Sequence, residues 1–224
     1  MIQIYSGVAY CDSTRKAEGP GAIQLISSWP GMGGMANTEK VPSRISYGLP
    51  PKGEILWGNQ IKPNTKAKVH ALMKLKLDER LKKSKQLKLL LAFLRFDGLE
   101  GLDLNDSGDD DNADGPPDYP GKEPVEVVAD YLTEVRKHVY TDLGNIYQGG
   151  LFDSLNKELV VTVPAVWSEK AKDLTLKAVT KAKFNVNKIS LVTEPEAAAI
   201  YTLKDMKEGP GQDQVQVCRD RLSG

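Results

Sequence analysis

The sequence predicts an α/β fold, and three observations between Glu158 and Leu203 predict it. Val160-Val161-Thr162-Val163 is a β-branched run, and Pro164 ends it because proline cannot donate to a sheet ladder. Ala171, Leu174, Thr175, Ala178, Val179 and Ala182 then recur at helical spacing as one apolar stripe, with Ser168 as the N-cap and Glu169 at the favourable end of the dipole. Ile189-Ser190-Leu191-Val192 follows as a second short strand, and Thr193-Glu194-Pro195 opens a second helix through Ala197-Ala198-Ala199. A strand, a helix and a strand of these lengths make a parallel pair with a right-handed crossover.

In such a unit, function gathers at the carboxyl ends of the strands, where Pro164 and Glu194 stand. On the residues alone, Glu194 reads as a carboxylate placed at a helix start by the dipole.

Composition bounds the rest. The 224 residues carry 30 basic and 30 acidic side chains, so no net field draws the chain to nucleic acid. Forty per cent apolar content suffices for a core. Cys11 and Cys218 lie near opposite ends and only two histidines occur, which argues against a disulfide framework or a zinc site, and no metal ligands are assigned. No leader and no membrane-length apolar run is present, so the expectation is a cytoplasmic protein without a membrane partner.

Taken in order, Ile2 to Tyr10 reads as a strand with a bend at Gly7. Gly31-Met32-Gly33-Gly34 lacks the flanking strand and Lys-Ser/Thr of a phosphate loop and reads as a surface turn. Val41 to Tyr47 and Ile55 to Gly58 are strands around the Leu49-to-Gly53 turn. Val69, Leu72, Met73, Leu77 and Leu81 predict an amphipathic helix. Its lysines, interrupted by Asp78 and Glu79, read as a solvated face rather than a nucleic-acid surface. Leu87 to Phe96 is too short to span a bilayer and is expected to be buried. Residues 103–123 form an acidic, disordered loop without the alternation and closing glutamate of a calcium site. Pro124 opens a helix striped by Val125, Val128, Ala129, Leu132, Val135 and Val139, with His138 beside that stripe near the helix end and without a catalytic part.

Two segments together resemble a known family. VTVPAVWSEKAKDLTLKA from Val161 and ISLVTEPEAAAIY from Ile189 are similar to the Hsp70 ATPase domain, which carries a V-P-A turn and an E-P-x-A-A-A segment at this spacing. Trp167 after the V-P-A turn, with Trp29-Pro30, Val41-Pro42-Ser43 and Trp57-Gly58, resembles the divergent HSPA12-type branch seen in fungi. The resemblance covers most of residues 5–217 and implies a partial actin-like (ribonuclease H-like) ATPase fold, mainly its first lobe.

It further implies ATP and Mg as cofactors, with Glu194 positioning the attacking water, Lys74 as the nearest candidate for the family's catalytic lysine, and Pro164 and Lys172 relaying nucleotide state. Lys172 stands where the family has arginine, and so loses the planar bidentate fork. Tyr5 and Ser6 are what remains of the phosphate-binding hairpin. Ile2-Gln3-Ile4 occupy its Gly-Thr-Thr positions, and its aspartate would fall before Met1. Glycine lets backbone N–H groups approach phosphate, and Ile2 and Ile4 do not. Such donors contribute about 3–4 kcal/mol each in a transition state.

The second phosphate turn, C-D-A-G-G-G-T in the family, is replaced after Cys218 by Arg219 to Gly224, so residues 204–224 read as an aberrant tail. The expectation is therefore a fragment degenerate in nucleotide binding and hydrolysis. The alternatives are a non-catalytic interaction or decoy fragment that meets co-chaperones or another Hsp70, or a truncated product without function.

Overall fold

The computed structural model describes residues 5–12, 22–33, 38–49, 53–71, 73–78, 121–147 and 150–208. The architecture is mixed α/β: a long helix packs against the crossover helix of a parallel strand pair and touches the three-stranded one of several small antiparallel sheets.

The amino-terminal half is built from short antiparallel ladders. Of the strand expected over residues 2–10, residues 2–4 lie outside the described residues and the rest forms two, β1 (Tyr5–Ser6) and β2 (Ala9–Tyr10), interrupted at Gly7. β2 pairs with β3 (Gln24–Leu25), and β1 pairs with β4 (Val41–Pro42). Ser43 separates β4 from β5 (Arg44–Ser46), so the strand expected over residues 41–47 also divides. β5 lies between β6 (Leu56–Trp57) and β7 (Val69–Ala71) in a three-stranded sheet. Gly58 leaves β6 with φ of +55°, and a Cβ there would stand 2.4 Å from Val41 Cγ2, so glycine is required.

The helix expected from Val69 onward is not formed as such. Val69–Ala71 is β7, paired with Arg44 to Ser46, and Met73–Leu77 is a 3₁₀ turn. Val69, Met73 and Leu77 have helical spacing, yet non-local pairing with β5 takes Val69 into a sheet. Met73 and Leu77 keep the burial that the stripe demands. Leu72, Leu81, Leu87 to Phe96, residues 103–120 of the acidic loop and residues 209–224 of the tail lie outside the described residues.

α1 (Pro124–Ile146) begins, as its sequence requires, on a proline in the first turn. Val127, Val128, Ala129, Tyr131, Val135, Val139 and Leu143 are buried on it. The stripe therefore lies slightly off the expected one: Val125 and Leu132 are only half-buried, and Val127 and Tyr131 take the inner positions. His138 is not near the helix end, because α1 continues to Ile146. It instead stacks within an aromatic group, 5.2 Å from Trp29 and 6.1 Å from Trp57 between ring centroids, with Asp142 Oδ2 3.5 Å from its Nε2.

One pairing between α1 and the sheet has a pH signature. The Tyr47 phenol donates to Asp130 Oδ2 at 2.7 Å. Burial first, then that bond and the charges of Asp130 and Glu126, push its pKa upward. Because the folded value is raised, the unfolded chain loses this proton first. The contribution is complete below about pH 10 and declines as pH rises beyond it. Stability of the wild type is expected to fall more steeply above that pH than stability of Tyr47→Phe; parallel denaturation curves for the two across the alkaline range would refute this.

After α2 (Leu151–Ser154) come β8 (Glu158–Val163), α3 (Glu169–Lys181), β9 (Lys188–Thr193) and α4 (Glu194–Glu208). β8 and β9 are parallel over six residue pairs, from Glu158↔Lys188 to Val163↔Thr193. Ala171, Ala178 and Ala182 have no exposed surface, and their small side chains let α3 lie closely on α1. α4 is exposed along nearly all of its described length and runs into residues 204–208, which the sequence reading assigns to the tail.

Candidate functional site

The site is built where β8 and β9 end side by side. Val163, the last residue of β8, is 2% exposed and pairs with Thr193, the last of β9. Pro164 and Glu194 therefore follow at the same level of the sheet. Pro164 cannot continue a ladder, so the chain turns: Trp167 N–H donates to Pro164 O at 3.2 Å, and the Trp167 side chain is buried. Ser168 then caps α3, its Oγ accepting from Ala171 N–H at 3.2 Å. Thr193 caps α4 by a reciprocal arrangement: the Glu196 carboxylate accepts both Thr193 N–H at 2.9 Å and Thr193 Oγ1–H at 2.8 Å. Those bonds, with Lys172 nearby, hold the Glu196 carboxyl below the ordinary range.

Of the residues that the sequence singles out, Lys74 and Glu194 are brought together here, and Pro164 and Lys172 lie on the neighbouring turn and helix. Glu194 is the first residue of α4 and Lys74 lies on the 3₁₀ turn; Lys74 Nζ stands 3.7 Å from Glu194 Oε1. Both side chains are partly open to solvent, so the pair defines a geometry more than it adds stability. Pro164 is half-buried at the end of β8. Lys172 is half-buried on α3 and binds the Glu169 carboxylate at 2.8 Å.

The other two stand apart from this group, in the sheet of β1 and β4. Ser6 Oγ shares a hydrogen bond with Ser43 Oγ at 2.7 Å. The exposed Tyr5 ring lines an open cleft of about 550 Å³ with Lys40, Arg44 and Asn59. Arg44 donates from Nε to Gly58 O and from Nη2 to Ile61 O, each at 3.0 Å. Burial pushes its pKa below the ordinary value. Tyr131 reaches toward the Ser6–Ser43 pair, and burial raises its pKa against the influence of these two hydroxyls.

Sequence reasoning misses Asp78, which reads as a mere interruption in a lysine-rich run. It is 2% exposed, and its carboxylate accepts from Ser168 N–H and Ser168 Oγ–H, each at 3.4 Å. The signal for it is the carboxylate's place directly after the buried Met73–Leu77 turn, where a solvated acid is not to be expected.

Among the described residues no three His, Cys, Asp or Glu side chains are grouped so as to hold a metal ion. Glu194 is engaged with Lys74. Among the described residues no helix is long and apolar enough to cross a membrane.

Fold and site together define a mixed α/β chain with a lysine–glutamate pair at the carboxyl ends of parallel strands. No family model matches the chain. Over 77 residues, 34% of its length, it is 40% identical to a heat shock protein homolog of Encephalitozoon cuniculi (strain GB-M1). The matched stretch is 10% of that protein. The similarity supports a heat-shock-protein-like relation over that stretch.

Proposed function

We propose that the chain is a first-lobe segment of an Hsp70-like nucleotide-binding domain, of the divergent HSPA12-type branch, that keeps the scaffold of the site and has lost its triphosphate chemistry. The observation that carries this reading is the Lys74–Glu194 pair at 3.7 Å, at the ends of β8 and β9. In an intact site of this kind a glutamate orients water, and a lysine offsets charge on the transferred group. Here the two side chains are directed at each other.

The missing parts are backbone donors. A phosphate needs N–H groups at close range, and β-branched Ile2 and Ile4 hinder the approach that glycine allows. Loss of several such donors, at about 3–4 kcal/mol each, removes most of a catalytic rate.

Phosphate release from Mg·ATP by the purified chain is expected to equal the buffer rate, and Glu194→Ala to leave it unchanged. A wild-type rate well above buffer that fell roughly a hundredfold or more in Glu194→Ala would show an intact ATPase instead.

A further inference from the structure

We infer that Asp78 is a positioning residue: its buried carboxylate locks the turn that bears Lys74 to the cap of α3, and so sets Lys74 against Glu194. The inference rests on the reading of Lys74 and Glu194 as the retained pair of the site.

Three contacts build the link. Asp78 directly follows the 3₁₀ turn Met73–Leu77, whose Met73 and Leu77 side chains are in the core and whose Lys74 points to Glu194. The Asp78 carboxylate takes the N–H and Oγ–H of Ser168, and the Ser168 Oγ accepts in turn from Ala171 N–H at 3.2 Å. A carboxylate is buried at such cost only where donors meet it, and the first turn of α3 supplies both hydrogen bonds and the positive end of the helix dipole. The 13-residue α3 is itself fixed to α1 through fully buried alanines. The lysine turn thus has a polar tie to a rigid element, four residues from the ammonium it places.

Without that tie, Met73 and Leu77 still anchor the turn in the core, but the rotation of its open side is no longer fixed. Lys74 then spends less time at Glu194, although the fold survives. Asp78→Ala is the sharp variant, because it removes both acceptors, whereas the amide of Asp78→Asn could accept from Ser168 N–H through Oδ1 and donate to Ser168 Oγ through Nδ2.

The test is trace acetylation of the full chain with acetic anhydride, read for each lysine by peptide mass spectrometry. The Lys74 side chain is 38% exposed and therefore reachable. Glu194→Gln is expected to raise Lys74 labelling severalfold, and Asp78→Ala to raise it by a comparable factor. Lys157, held by the carbonyls of Phe152, Asp153 and Leu155, and Lys181, paired with Glu126, should stay at their wild-type levels. Wild-type labelling of Lys74 in Asp78→Ala would overturn the inference. So would a rise shared by Lys157 and Lys181, which would mean general loosening. Should Asp78→Ala not fold, Ser168→Ala removes one of the two donors and is expected to give a smaller rise at Lys74 alone, with no rise overturning the inference. No nucleotide enters this measurement, so it and the hydrolysis assay fail independently.

Discussion

Trp57→Ala is expected to lower stability by about 3–5 kcal/mol, enough to move the thermal midpoint by roughly 10 °C. Trp57 is 4% exposed and joins three elements. It pairs with Ile45 across β5 and β6, meets Trp29 edge-on at 6.2 Å, and meets Tyr131 of α1 edge-on at 6.0 Å. Such ring contacts add about 0.5–1.5 kcal/mol beyond the buried area. Truncation leaves a cavity against α1 that neither the ladder nor the helix can collapse to fill. Trp57→Phe keeps most of the apolar contact and should recover more than half of the loss. Chemical denaturation of the three proteins checks this, and a Trp57→Ala midpoint within experimental error of wild type would refute the placement of this ring at the junction.

Ala178→Asp is the second large effect expected, a loss of about 3 kcal/mol or more. Ala178 has no exposed surface on the face of α3 that lies against α1. A carboxylate there would be desolvated without a partner. On the outer face of the same helix the residue type is accommodated: Asp173 is exposed and binds Lys177 Nζ at 2.8 Å. An Ala178→Asp variant with wild-type stability would mean that α3 does not pack on α1 through this face.

The half of the fold carrying β8, α3, β9 and α4 is legible because its signals are local. Val160 to Val163 is β-branched and stopped by Pro164, and the spacing from Ala171 to Ala182 admits only a helix. Ser168 and Thr193 cap through their own side chains, a preference written into the residue type. The amino-terminal half is harder because two-residue strands such as β1, β2 and β3 are too short to show alternation. Their existence depends on partners 14 to 37 residues away, as in Tyr10↔Gln24 and Tyr5↔Pro42. Val69, Met73 and Leu77 mislead for a related reason: their spacing suits a helix, and only the pairing of β7 with β5 shows otherwise.

The site divides along the same line. Glu194 and Pro164 are visible because parallel strands place function at their carboxyl ends. Lys74 can be proposed, but its distance from Glu194 depends on a tertiary contact between the 3₁₀ turn and α4. Asp78 is hard to read because charge alone argues for solvent, and its contact with the cap of α3 reverses that expectation.

On the proposed function, a scaffold for triphosphate chemistry persists here without the backbone donors that hold the triphosphate. Isothermal titration of the 224-residue chain with Mg·ATP tests it most directly. The expected trace shows only heats of dilution up to millimolar nucleotide. A saturable isotherm with micromolar affinity, lost in Lys74→Met, would contradict it.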